Sequence, residues 1–510
     1  MSAILCHTNV SEVVSKYPPK PVRNLTLVLG KFLVSLTWED PVDYTEEGYT
    51  CTWAKTIVVR KQGGYPNDIH DGTVVVTTVE RDKYKTTGYD DTGLTAGETY
   101  YYKVFTCNTD GVYGEPVEGT AIPVQYRIMT IEMNIVNDLP NIGGTYLDDA
   151  ITMTDGISAS EWTDFFGYKP CLFKDGVVVG YLNPNDYTKF EDGSVADITS
   201  GNSGDVMIEF PRHGLNISMR RDGDGMYAGY ILTVSMTDEP NNSNFTYYAH
   251  QRGSTDKDYF YLGVYEAAMR YGYYNSQYTY AIRSLSGLQL TTYSSGKFTD
   301  TAGYPAMNDF YTGAKRNGSN YGIMGFYQWI YLQAMYLLQF KGKTDSENTI
   351  GSITYEMSAR KTGNGNTAGL FSGNDDMIKI FGLENLWGNT SSFIYGFRVY
   401  NNHAYTTTDD NISISNFTDK GSVYTTSGFM SRPIGTNNLG FISGYSGSSS
   451  STCFCDRSDV ANSNEYRVGG SYKTGRNSDY YGHNGIFSVE PVDSSMSRSS
   501  TPTTSRLQYL

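Results

Sequence analysis

RVGGSYKTGRNSDYYGHNGIF, Arg467 to Phe487, is the stretch on which the reading of this chain turns. Its middle is Tyr, Ser, Asn, Asp and Gly, the mixture that antibody loops use for contact. Tyr offers a large area with few torsions to freeze, and the small polar residues adapt their hydrogen bonds. A disordered polar tail has the same composition, but the flanks here are different. Ile486, Phe487 and Val489, and after a Ser/Thr-rich run Leu507, Tyr509 and Leu510, are strand residues returning to a core. The stretch is therefore expected to be a working loop held between closing strands. Tyr472, Tyr480 and Tyr481 are its expected anchors, and Arg457, Arg476, Asp479 and His483 its tuners of specificity. Ser458, Asp459, Thr474, Asn477, Ser478 and Asn484 complete the candidate ligand face.

Working outward, 510 residues suffice for two to four domains. Gly at 54, Tyr at 45 and only 18% charged residues favour a β-rich extracellular or virion-like protein over a helical cytosolic enzyme. A formal charge of −15 argues against a nucleic-acid partner, because the phosphate backbone would repel the chain at long range. The 6 cysteines are scattered, with no disulfide framework and no zinc spacing, as expected of synthesis in a reducing compartment. Cys453 and Cys455 would share one face of a strand as free thiols. MSAILCHTNV lacks the basic and apolar regions of a secretory signal. Gly322 to Phe340 carries no charge and is long enough to span a bilayer. Its glutamines and tyrosines instead predict a buried helix, with Ile323, Phe326, Ile330, Ala334 and Leu337 on the most apolar face, and no membrane insertion.

Along the chain, KFLVSLTWEDP (Lys31 to Pro41) alternates as a strand, with Phe32, Val34, Leu36 and Trp38 on one face. TIVVRK follows at Thr56, and GLTAGETYYYKVFTCNTDGVYGEP at Gly93. Residues 18–122 thereby resemble a fibronectin type III domain, with Trp38 as its core tryptophan; the resemblance implies a spacer or attachment module. Residues 1–17 are an N-terminal arm, and 123–204 a linker and β-rich middle region. Within it SEWTDFFGYKP predicts a short helix capped by Ser158 or Ser160 and stopped by Pro170. Residues 205–510 form the last domain, in α+β order with strands outnumbering helices, and its variable part runs over about 444–504.

Most candidate chemistry fails on spacing. DGDG at Asp222 lacks the later ligands of a calcium loop and suits a hairpin turn. Glu239-Pro240-Asn241 matches the mannose tripeptide of calcium-dependent lectins, but without the Trp-Asn-Asp that should follow. The 6 histidines never pair at metal spacing, and no nucleophile elbow occurs. No acid, base or nucleophile set converges, so neither catalysis nor a cofactor nor a metal is expected.

Three separated stretches carry a second resemblance: YFYLGVYEAAM (Tyr259 to Met269), GLENLWGNTSSFIYG (Gly382 to Gly396) and RVGGSY followed later by Ser505-Arg506-Leu507. Gly263, Tyr265 and Glu266, then Gly382, Leu383, Gly388 and Asn389, then Gly469, Gly470 and Ser471 match the framework of a known fold. It resembles the C-type-lectin-like fold shared by formylglycine-generating enzymes and the variable proteins of diversity-generating retroelements. Tyr472 stands where that family has tryptophan, and the segment to Ile486 is longer than its usual turn. The enzyme branch needs reactive cysteines in the closing segment, and none follows Cys455. GYSGSSSSTCFCDRSDV, Gly444 to Val460, matches the retroelement branch.

The resemblance implies randomisation of template adenines, which turns an Asn codon into many residues but never Lys, Glu, Met, Gln or Trp. Between Tyr472 and Thr504 only Lys473, Glu490 and Met496 belong to that set, and they are expected to be fixed scaffold or differently encoded. The resemblance also implies a phage tail receptor-binding protein, a homotrimer in the virion, assembled in the host cytoplasm beside other tail proteins. Its partner would be a host-surface receptor, protein or glycan. The alternatives are a structural tail or baseplate protein, a bacterial surface-displayed variable adhesin, and a glycan depolymerase. The last would need a carboxylate pair, for which Glu266 and Glu384 are the residues to check.

Overall fold

The computed structural model describes residues 17–124, 128–134, 143–221, 227–236, 244–274, 276–290, 306–351, 353, 359–374, 376–409, 414–425, 428–430, 432–442, 444–445, 454, 456–471, 484–492 and 503–510. The protein is mainly β and divides into two compact units, Met1–Arg127 and Ile128–Leu510.

In the first unit the strands Arg23–Gly30, Leu33–Glu39 and Tyr89–Thr92 form one antiparallel sheet. Thr73–Thr78, Trp53–Gln62, Tyr100–Asn108 and Val117–Ala121 form another. Val34, Leu36 and Trp38 from the first pack in one core with Val58, Tyr102 and Val104 from the second. The buried indole of Trp38 donates to Asp40 Oδ1 at 3.1 Å, so its one polar atom is satisfied in the core. Phe32, expected on the same face, is instead 40% exposed. Gly30 pairs with Leu33, so Phe32 occupies the tight turn at φ 54°, where strand alternation does not apply.

No boundary falls at 204/205 in the second unit. The strands Lys169–Lys174, Val177–Asn183 and Asp186–Phe190, which fall in the region expected to be a separate middle one, continue a seven-stranded antiparallel sheet through Asp205–Pro211, Tyr259–Glu266, Arg506–Tyr509 and Tyr321–Ile323. Ile128–Asn134, expected as linker, is an inner strand beside Tyr227–Met236. That strand in turn pairs with His213–Arg221; DGDG lies outside the described residues. Glu239, Pro240 and Asn241 also lie outside them.

Helix α1, Ser160–Phe166, buries Trp162, Phe165 and Phe166. Neither Ser158 nor Ser160 caps it: Ala159 holds the N-cap position without a side-chain bond. Nor does Pro170 end it, because Gly167 at φ 63° has already turned the chain and Pro170 sits in the next strand. Helix α2 is Met307–Lys315. Helix α3, Phe326–Gln339, has all of its 14 residues buried. Ile323 belongs to the preceding strand, not to the helix. At ~1.5 Å per residue α3 is shorter than a bilayer core, and no helix of the described residues is long and apolar enough to cross a membrane.

The polar side chains of α3 brace it across the unit. Gln333 Nε2 donates to the Ile486 carbonyl at 3.0 Å and Gln339 Nε2 to that of Gly156 at 3.2 Å, while Gln328 reaches the Ala249 carbonyl. The amide nitrogens are thereby paired with backbone carbonyls, partners that a lipid environment would not supply. Cys51, Cys107 and Cys171 are buried free thiols; Cys6, Cys453 and Cys455 lie outside the described residues.

Candidate ligand-binding segment and its frame

The three framework stretches meet in the core of the second unit. Glu266, at the end of Tyr259–Glu266, accepts hydrogen bonds from the Asn389 amide, the Thr390 hydroxyl and, at 3.0 Å, the Thr390 backbone N–H. Arg506 is fully buried. Its Nη1 donates to the carbonyls of Gly263 (2.8 Å) and Val264 (2.6 Å), and its Nη2 to that of Glu384 (2.7 Å). The closing strand is thus bolted to both earlier stretches through one guanidinium.

Glu384 accepts from the N–H groups of Gly363 (2.8 Å) and Gly365 (2.7 Å). Lys379 lies 3.6 Å from the centroid of the Tyr187 ring, its Nζ donating to the Gly365 carbonyl at 2.7 Å. Burial pushes the Glu266 carboxyl up to about 7, against the hydrogen bonds from Thr390 and Asn389 and the Arg506 charge. It also pushes Glu384 up, Lys379 down to about 7 and Arg506 down to about 10. Both carboxylates are sealed from water and committed to backbone and side-chain donors, which leaves neither in a cleft where it could protonate a glycosidic oxygen.

Above this core a four-stranded sheet runs in the order Gly485–Pro491, Tyr466–Gly469, Ser391–Ile394, Thr503–Thr504. Tyr466–Gly469 and Gly485–Pro491 are antiparallel partners with Gly469 opposite Gly485, so the described residues that flank 472–483 in sequence lie at one end of the sheet. These flanking residues are fastened together: Asn484 Nδ2 donates to the Ser471 carbonyl at 3.2 Å. Gly470 (φ 67°) makes room for this, since a Cβ there would stand 2.0 Å from Asn484 Oδ1.

The rejoining strand is clamped from below by helix α4, Ser346–Thr349, whose N-cap Asp345 accepts from the Asn348 N–H at 3.0 Å. Glu347 Oε1 accepts the Asn484 N–H (3.2 Å), Ser346 Oγ the Ile486 N–H (3.1 Å), and Asp456 Oδ2 the Phe487 N–H (2.9 Å). The Ser346 hydroxyl donates to that same Asp456 oxygen at 2.9 Å. Burial pushes the Asp456 carboxyl well above the usual carboxylate range, with Glu347 and Asp345 acting in the same direction.

Of the candidate ligand residues, Tyr472, Thr474, Arg476, Asn477, Ser478, Asp479, Tyr480, Tyr481 and His483 lie outside the described residues, as do Lys473 and Met496. Four of the candidates, Arg457, Ser458, Asp459 and Asn484, are described. Ser458 is fully buried, its hydroxyl on the Ile442 carbonyl at 3.2 Å, and Asn484 is buried at the clamp. Neither is exposed to solvent, which corrects their assignment to the ligand face. Arg457 and Asp459, two apart in sequence, pair at 2.9 Å, and Asp459 also accepts the Gly428 N–H. Glu490 is bound by Arg467 at 2.6 Å across the strand pair.

Ser346 and Glu347 escaped the sequence reading. The only local signal is Asp345 followed by Asn348, a capping pattern that does not say what the helix holds. Replacing Gly470 by Ala is expected to destabilise the second unit by ~2 kcal/mol or more, because it combines left-handed strain with the Asn484 clash. A thermal melt checks this; an unshifted transition would mean that the two ends of the segment are not held together here. Compared with known proteins, the chain matches no family model and no curated protein.

Proposed function

We propose that the chain is a phage tail receptor-binding protein that displays Tyr472–His483 as a diversified host-recognition surface on a C-type-lectin-like scaffold. The observation that carries the reading is the contrast at Ser471 and Asn484. The residues that bracket the segment are buried and locked, while the segment between them has the composition of a contact loop. A frame that is fixed independently of the loop it carries tolerates many loop sequences. The interlock of Glu266, Asn389 and Arg506 supports the lectin-like assignment, since it joins the three stretches that carry the resemblance. The first unit, three strands facing four around Trp38, supports a fibronectin type III-like spacer.

A homotrimer would give weak single sites useful avidity; sedimentation as a monomer at micromolar concentration would remove that part. The depolymerase alternative loses support because Glu266 and Glu384 are both buried in the frame. To test recognition, Tyr472, Tyr480 and Tyr481 are changed together to Ala and adsorption to host cells is measured. Adsorption is expected to fall at least ~100-fold, given ~1–2 kcal/mol per anchor, with the melting transition unchanged. Undiminished adsorption by a folded variant would refute recognition by this segment and favour a structural tail role.

A further inference from the structure

A cavity of about 290 Å³ opens in the second unit at the edge of the seven-stranded sheet. Its walls are the turn after Lys169–Lys174, the Gly201–Asp205 turn, the end of helix α2 and the antiparallel ribbon Ala268–Tyr274/Gln277–Arg283. Tyr273 is 64% exposed on that ribbon and lines the cavity with Tyr274. Three cations, Lys174, Arg283 and Arg316, face two carboxylates, Asp175 and Asp205.

These charges are not equivalent. Asp205 is buried and already neutralised by Arg283, whose Nε sits 2.9 and 3.1 Å from its two oxygens. Lys174 is exposed and spends one donor on the Asn202 carbonyl (2.8 Å), while Arg316 spends Nη1 on the Tyr280 carbonyl. Each therefore retains donors that a carboxylate in the cavity could take. In a chain of net charge −15 this is a local cationic recess beside an exposed aromatic plate.

We propose that this recess binds a carboxylate-bearing sugar. Its carboxylate lies between Arg316 and Lys174, an apolar ring face packs on Tyr273, and Asp175 and Asn317 accept or donate to its hydroxyls. Aromatic faces suit the C–H-lined side of a sugar ring, and guanidinium suits a carboxylate in preference to a neutral substituent. The site is built from residues remote in sequence from Tyr472–His483 and does not rest on their role.

The full chain is titrated calorimetrically with a hyaluronan hexasaccharide (uronate), 3′-sialyllactose (sialate) and lactose (neutral). At least one of the two acidic sugars is expected to bind with Kd below ~1 mM, and lactose at least ~10-fold more weakly. Arg316→Gln and Lys174→Gln, both at partly or fully exposed positions, are each expected to weaken acidic-sugar binding ~10-fold. The Tyr472/Tyr480/Tyr481 triple variant should bind as the parent does, which separates this site from the host-recognition reading. Absence of binding by both acidic sugars, equal binding of lactose, or indifference to both Arg316→Gln and Lys174→Gln in folded protein would overturn the proposal.

Discussion

Arg506→Leu is expected to abolish the cooperative melting of residues 128–510 while leaving the transition of the first unit in place. The side chain is fully buried, and three backbone carbonyls depend on it at 2.6–2.8 Å. A leucine is markedly smaller, so it leaves part of the space empty and removes the donors those carbonyls share, at ~1–3 kcal/mol each. It also removes the cation that holds down Glu266 and Glu384. Breaking a buried charge arrangement by deleting one member costs ~3–5 kcal/mol, even where replacing the whole set by apolar residues would be neutral. The total rivals the ~5–15 kcal/mol that a domain possesses. Arg506→Lys retains the charge but not the fork, and should fall between the two. Calorimetry resolves the outcome, because the units have separate cores. If Arg506→Leu melts within a degree of the parent, the three framework stretches are not held together by this residue.

Much of this architecture could be read from local pattern, and the parts that could not have a common cause. Alternation located Leu33–Glu39, and uniform apolarity located α3. Both signals depend only on a segment's own side chains. Phe32 and Ile323 were misassigned by the same logic, because a turn and a strand each interrupt the period without changing composition. The sheet membership of Lys169–Phe190 was not legible, since its partner Asp205–Pro211 is chosen by non-local register, which local sequence does not encode.

Arg506, Lys379 and Asp456 are charged side chains that the fold buries against specific acceptors and donors, and no local pattern signals that burial. The residues of the three framework stretches are visible individually in the sequence, whereas the bonding of Glu266 to Asn389 and of Arg506 to Gly263 is not. Composition cannot separate a candidate ligand face from its frame: Ser458 and Asn484 share the polar character of the segment, yet their hydrogen bonds point into the frame.

A pH titration of stability should single out Glu266. Burial raises its folded pKa to about 7, above the 4.5 of an unperturbed glutamate. Between those values the folded protein keeps a proton that the unfolded chain has released. The stabilisation is therefore complete below 4.5 and is lost as pH rises through about 7, a swing of ~3 kcal/mol. The buried histidines work against it. Burial lowers His213 and takes His250 down to about 3, so that the unfolded chain binds the extra proton up to about 6.5 and stability rises with pH over that window. In the parent the two slopes oppose each other, and only a difference isolates the carboxyl. Glu266→Gln keeps the shape of the side chain but cannot ionise, and it leaves the histidine contribution intact. The parent's advantage over Glu266→Gln in denaturant titrations is accordingly expected to be largest near pH 4.5 and to shrink by ~3 kcal/mol by about pH 8. An advantage constant to within ~0.5 kcal/mol would mean that Glu266 is charged in the folded protein throughout. Arg506 would then offset the burial of the carboxylate in full, and the loss in Arg506→Leu should itself grow as pH rises, because the unpaired Glu266 would have to take up a proton.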